Sequence, residues 1–140
     1  RGRKRRHGGR VLAPGRAAVI LRVLIADDDP LIRDVLRDVL DEEPDMEVIA
    51  VACDAREAVE LAERHAPAVV VLDVRMPFGG GAHAATEILQ RAPGTRILAF
   101  SAYTDPGAVD EMRRAGVIDY VAKGVRNTEL VAAVRRLGVH

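Results

Sequence analysis

The stretch "VLIADDDPLIR", residues 23–33, decides how the rest of the chain is read. Four apolar residues, Val23 to Ala26, run straight into Asp27, Asp28 and Asp29, and Pro30 follows at once. A short apolar run stopped by turn-forming residues reads as a buried strand. Asp29 and Pro30 then read as the N-cap and first residue of a helix, because proline lacks only an amide hydrogen that a helix start leaves unpaired. Three carboxylates at the mouth of such a strand repel one another, so their presence calls for a cation close by.

The same two kinds of segment alternate outward from this point. Strands are expected at 22–26, 47–52, 68–72, 96–100 and 119–122, several of them apolar without alternation, as in parallel strands covered on both faces. Leu31, Ile32, Val35, Leu36, Val39 and Leu40 recur at helical spacing, as do Ala58, Val59, Leu61 and Ala62 within 54–65, where Asp54 can cap. Further helices are expected near 82–91, near 106–115 ending at Gly116, and near 128–137, after Asn127 and ending at Gly138. Five strands alternating with five helices across short connections predict an α/β fold with a doubly wound parallel sheet.

The chain has 140 residues, room for one ordinary domain. Its apolar fraction is 49%, with only two Phe, two Tyr and no Trp, so the core must be built of Val, Leu, Ile and Ala. A net charge of zero hides an asymmetry. Residues 1–22 carry eight Arg or Lys and no acid, leaving 13 basic and 21 acidic side chains beyond them. Residues 1–21 therefore read as a basic, disordered extension, loosened by Gly8, Gly9, Pro14 and Gly15, and residues 22–140 as the domain. Arg22 breaks the apolar stretch before the aspartates, so neither a secretory signal nor a membrane span is expected, and a cytoplasmic location is the simplest fit. Cys53 is the only cysteine; it excludes an internal disulfide or a zinc cluster and reads as a small core residue.

Ligands of doubly wound sheets bind beyond the carboxyl ends of the strands. Those ends carry Asp27 and Asp28, Asp73, Ser101 and Lys123. Crowded carboxylates with oxygen-only ligands suit Mg²⁺ or Mn²⁺, which commonly joins protein carboxylates to phosphate oxygens. Asp73 is then placed as a nucleophile able to form an acyl phosphate. Lys123 and Ser101 supply a cation and a hydrogen bond for the oxygens of a transferring phosphoryl group. Lys123 is the only lysine beyond residue 4 in a chain that otherwise uses arginine, as though a compact point charge were required.

Four pieces, "LIADDDP", "VVVLDVRMP", "ILAFSA" and "YVAKG", together resemble the receiver domain of two-component response regulators, over residues 22–137. The style is closest to receivers that precede a LuxR-type helix-turn-helix domain. The resemblance implies a flavodoxin-like sheet in the order 2-1-3-4-5, and phosphorylation of Asp73 by a sensor histidine kinase or phosphotransfer protein in a Mg²⁺-dependent reaction. It implies metal ligation by Asp28 directly, by Asp27 largely through water, and by the backbone carbonyl of Arg75. Ser101 and Lys123 match the switch hydroxyl and its lysine, and Tyr120 the aromatic residue that swings inward with them. A receiver of this kind is not an enzyme beyond its own phosphorylation and dephosphorylation. The face of the fourth helix, fifth strand and fifth helix, including Asp110, Arg113, Arg114 and Arg135 or Arg136, is the expected homodimer or partner surface.

Two departures from the family pattern stand out. Gly124 follows Lys123 where many receivers have a cis-proline, and Phe78 occupies a position often held by glycine, while Gly81 keeps the glycine of the loop. "FGGGAH" is not a nucleotide-binding Walker loop, since the terminal lysine and hydroxyl are missing. Two other readings compete. Asp27 and Asp29 could form the nucleophile pair of a haloacid dehalogenase-like phosphatase, against which stand the short chain and the missing late acidic pair. The chain could also be the N-terminal fragment of a DNA-binding transcriptional regulator, DNA contact then lying in a domain beyond residue 140.

Overall fold

A computed structural model of the chain describes residues 19–102 and 106–139. The expected basic extension lies almost wholly outside them. Along the described residues run β1 (Leu21–Ala26), α1 (Pro30–Asp41), β2 (Met46–Ala52), α2 (Ala55–His65), β3 (Val69–Asp73), α3 (Gly80–Arg91), β4 (Arg96–Ser101), α4 (Pro106–Arg114), β5 (Asp119–Ala122) and α5 (Asn127–Gly138). The five strands form one parallel sheet in the order β2-β1-β3-β4-β5. This is the flavodoxin-like arrangement, with the switch in strand order at β1 and β3.

The burial pattern explains why the strands are apolar on both sides. Val23, Ile25, Val69, Val71, Leu98 and Phe100 face α1 and α5, meeting Leu36, Leu40, Leu130, Val134 and Leu137. Leu24, Ala26, Val70, Leu72 and Ala99 face α2, α3 and α4. The second face is rich in alanine, including Ala58, Ala62, Ala84, Ala85 and Ala108, so three helices lie close to the sheet without aromatic filler. β2 is an edge strand, and its register to β1 slips between Val23 and Leu24, a bulge of the kind that blunts exposed edges.

Local chemistry places the helix ends. Asp29 accepts the Leu31 amide at 2.9 Å and Pro30 follows it, as expected. Asp54 accepts the Glu57 amide at 2.8 Å, and the Glu57 carboxylate accepts the amide of Cys53, the residue before the cap, at 2.8 Å. The far end of α2 is held by Arg22, whose guanidinium donates to the His65 carbonyl at 2.7 Å. Asn127 is the first residue of α5 rather than its cap, which falls to Arg126 with no side-chain hydrogen bond.

Two expectations are corrected. Cys53 is exposed rather than in the core, because it follows the last residue of β2 in the turn into α2. Arg135 does not serve the face of α4, β5 and α5: it reaches the α1–β2 connection, bonding Asp45 at 2.7 and 2.8 Å and Glu43 at 2.8 Å. That network holds the Asp45 carboxyl below its usual pKa, chiefly through the hydrogen bond from Arg135.

Leu98 is fully buried in the central part of the sheet, whereas Val35 is half exposed on α1. Leu98→Ala should therefore lower the unfolding free energy by about 2–5 kcal/mol, and Val35→Ala by no more than about 0.5 kcal/mol. Urea unfolding of both variants measures the contrast.

Candidate functional site

The carboxyl ends of β1, β3, β4 and β5 bring the expected polar residues to one rim. Asp27 and Asp73 are almost completely buried there, at 0% and 3% exposure, and Ser101 at 2%. The ammonium of Lys123 stands between the two buried acids, 3.2 Å from Asp27 Oδ2 and 3.2 Å from Asp73 Oδ1. The chain holds it there through the Lys123 amide, which donates to the Ser101 carbonyl at 2.7 Å and ties the end of β5 to that of β4.

Backbone groups orient the acids. Asp27 Oδ1 accepts the Asp29 amide at 2.9 Å, and the Asp27 carbonyl accepts the guanidinium of Arg33 at 2.8 Å. Asp73 Oδ1 accepts the Arg75 amide at 3.3 Å. Asp27 Oδ2, fully buried, has only its ion pair with Lys123 and no hydrogen bond of good geometry. Asp27, Asp28 and Asp73 each place one carboxylate oxygen within 4.8 Å of the others. A buried, under-coordinated carboxylate oxygen beside two more carboxylates fits a hard divalent cation.

Electrostatics follow from burial. Desolvation, reinforced by the nearby Asp27 charge, pushes the Asp73 carboxyl up to about 6, against the pull of Lys123 and the Arg75 amide. For Lys123, desolvation works against the ammonium, but the Asp73 and Asp27 carboxylates outweigh it and raise its pKa. The site therefore holds its lysine charged and its central carboxylate reluctant to ionise without a further cation.

The connection from β3 to α3 forms one wall. Gly81 is pressed against the end of β3: a Cβ there would lie 2.6 Å from the Asp73 carbonyl oxygen, and its amide donates to the Val74 carbonyl at 2.9 Å. Only glycine fits so close an approach. Phe78 adopts φ 63° and is followed by Gly79 and Gly80 at 109° and 79°. The glycine expected at position 78 is thus explained by a left-handed backbone, which costs a non-glycine residue roughly 1–2 kcal/mol. The Phe78 ring lies under the Arg56 guanidinium, 4.3 Å from carbon to ring centre.

Of the residues singled out in the sequence, Asp27, Asp28, Asp73 and Lys123 come together. Arg75 approaches through its amide. Ser101 lies at the rim, but its hydroxyl donates to the Ala102 carbonyl at 3.3 Å. Tyr120 is 37% exposed, at the surface. Arg33, Arg56 and the role of Phe78 escaped sequence reading; for Phe78 the signal was its place where the resembled family often has glycine. All peptide bonds among the described residues are trans, and Gly124 takes φ 99° beside Lys123.

Comparison with known proteins agrees with this geometry. The family model described as the response regulator receiver domain matches residues 23–135. The transcriptional regulatory protein PdtaR of Mycobacterium tuberculosis is 42% identical over 120 residues, which cover 84% of this chain and 57% of that protein. A protein-glutamate methylesterase/protein-glutamine glutaminase of Thermotoga maritima is 40% identical over 106 residues, covering 74% of this chain and 30% of the enzyme. The chain thus spans about half or less of the length of these relatives. Among solved structures, the signal receiver domain of the putative response regulator NarL from Mycobacterium tuberculosis superposes with a TM-score of 0.81 at 32% identity, covering 86% of this chain and 97% of that one. The response regulator domain of Thermotoga maritima CheB does so with 0.77 at 34% identity, covering 86% and 98%.

The raised Asp73 pKa has a measurable sign. An unfolded chain ionises this carboxyl near 3.8, the native chain only near 6, so rising pH favours the unfolded state between those values. Without metal, the native state should lose about 3 kcal/mol from this group between about pH 4 and pH 6, a loss that persists above. Asp73→Asn removes the titration. Urea unfolding in chelator should find the variant more stable than the wild type near neutral pH, by an amount that shrinks towards about pH 4.

Proposed function

The chain belongs to the response regulator receiver domain family, and from that membership we propose that Asp73 accepts a phosphoryl group from the phosphohistidine of a sensor histidine kinase or phosphotransfer protein. As a receiver domain of a two-component response regulator, the chain is a signalling domain. The observation that carries the reading is the lysine held between two buried aspartates at the carboxyl edge of the sheet, with Asp28 beside them.

The chain's own groups account for the transfer. Both the Lys123 and the Arg75 contacts of Asp73 fall on Oδ1, which leaves Oδ2 to attack phosphorus. The new bond is an acyl phosphate; the P–N bond of the donor breaks, and its imidazole leaves with the electron pair and takes up a proton. Lys123 exchanges its Asp73 contact for the oxygens of the incoming group, and the Ser101 hydroxyl turns from Ala102 towards them. Asp27, Asp28 and the Arg75 carbonyl would hold Mg²⁺ or Mn²⁺, which when bound offsets the charge of the carboxylates and of the phosphoryl oxygens. Arg33 and the Asp29 amide keep Asp27 oriented for that purpose. On this reading the domain catalyses only its own phosphorylation and dephosphorylation.

Phosphorylation then shifts a population rather than building a new fold. Tyr120 moves inward with Ser101, and the change reaches the face of α4, β5 and α5, where α4 exposes Asp110, Arg113 and Arg114 and Ile118, just before β5, is 79% exposed. That face is the proposed surface for a second copy or an output partner. Several relatives are named transcriptional regulators, which makes control of transcription the proposed output, with DNA contact made outside this chain. No helix among the described residues is long and apolar enough to cross a membrane, and the cytoplasm is the proposed compartment. The phosphatase alternative gains nothing, since Asp29, its would-be general acid, caps α1.

Incubation with acetyl phosphate and Mg²⁺, followed by intact mass measurement, tests the reading. One phosphoryl group should appear on the wild type and none on Asp73→Ala, and Lys123→Ala should slow the reaction on the order of 10²-fold. A phosphoryl group that persists in Asp73→Ala would overturn it.

A further inference from the structure

The connection between β3 and α3 is unusual in spending a large exposed side chain on a left-handed position. Phe78 is 60% exposed, so burial in the core does not hold it. Its φ of 63° is one that phenylalanine rarely adopts. What it does meet is α2: the Ala55 amide donates to the Pro77 carbonyl at 3.1 Å, and the Arg56 guanidinium, one residue on, covers the Phe78 ring at 4.3 Å. Two consecutive residues of α2 thus grip two consecutive residues of the loop. The loop's other end is fixed by Gly81, whose amide donates to Val74 and whose backbone leaves no room for a side chain against Asp73. Between these anchors lies Arg75, whose amide bonds Asp73 Oδ1.

We propose that Arg56 is a positioning residue for the Asp73 site, acting through Phe78 to keep the 74–80 connection in the conformation that presents the Arg75 backbone to the aspartate. A glycine at 78 would adopt that conformation freely. With phenylalanine there, the left-handed state competes with extended alternatives, and the stacked cation tips the balance. The first turn of α2 thereby becomes part of the phosphoacceptor site, although it touches neither Asp73 nor the reacting group. The kinetic arm of the test rests on Asp73 being the phosphoacceptor; the exchange arm does not.

The experiment is a double-mutant cycle on the full chain with Arg56→Gln, Phe78→Gly and both together, with Arg56→Lys as the conservative variant. Two quantities are read: hydrogen exchange of the Gly81 amide, and the rate of phosphorylation by acetyl phosphate with Mg²⁺. Urea unfolding confirms that each variant is folded. Arg56→Gln should speed the exchange and slow phosphorylation by about three- to fivefold, the factor to which an exposed cation–π contact corresponds. Arg56→Lys should keep most of both, and in the Phe78→Gly background Arg56→Gln should change neither. An unchanged Gly81 exchange rate in Arg56→Gln would overturn the proposal, as would an equal effect with and without Phe78. Should the wild type take up no phosphate, the phosphoacceptor reading fails while the exchange cycle still decides the role of Arg56.

Discussion

One ammonium group holds the functional end of this molecule together. Lys123 stands 3.2 Å from carboxylate oxygens of both Asp27 and Asp73, and neither acid is accessible enough for water to do the same work. Removing that lysine would strand two buried carboxylates without a cation, which costs more than the pairing itself contributes. The rest of the fold serves to bring the ends of β1 and β3 to the reach of one lysine side chain, and the end of β4 to its amide. Parallel pairing does so directly, because β1, β3, β4 and β5 all end on the same side of the sheet.

The alanine-rich face of the sheet has a part in this economy. Small residues let α2, α3 and α4 sit close, which brings the first turn of α2 against the loop after Asp73. The Ala55 amide and the Arg56 guanidinium reach the loop only because α2 lies so near. Packing on that layer of the core thereby reaches the loop of the site, through Ala55 and Val74, which belong to both.

Much of this was legible in the sequence because the relevant signals are local. Apolar runs broken by turn residues marked all five strands to within a residue at each end, and the cap at Asp29 and Pro30 stood as read. That Asp27, Asp28, Asp73 and Lys123 gather at one rim was legible for a related reason: in a parallel sheet the carboxyl end of each strand is known once the strands are known. What escaped reading depends on contacts distant in sequence. Sequence left Arg135 or Arg136 open for the face of α4, β5 and α5, and Arg135 turns away because its partners, Asp45 and Glu43, lie some ninety residues away. Cys53 was taken for a core residue on composition, although the turn into α2 carries it outward. The backbone state of Phe78 could not be read from the phenylalanine itself; its signal was its place where the resembled family often has glycine.

Charge balance explains why one site can be both stable and switchable. Asp27, Asp28 and Asp73 oppose a single ammonium, leaving an excess of two negative charges when all three acids are ionised. The protein alone answers this by keeping the Asp73 proton longer than an ordinary aspartate would. A divalent cation would cancel the excess. A phosphoryl group on Asp73 would bring back part of it: the group carries about −1.5 to −2 charges near neutral pH but replaces the carboxylate's own, a net gain of about half to one negative charge. On the proposed reading, that returning charge is what draws Ser101 away from the Ala102 carbonyl and Lys123 off the Asp73 oxygen. The metal-free ion pair is then not a rival to the phosphorylated arrangement but its reservoir: the lysine is already charged, already at the rim, and tied by its own amide to the carbonyl of the residue that must move with it.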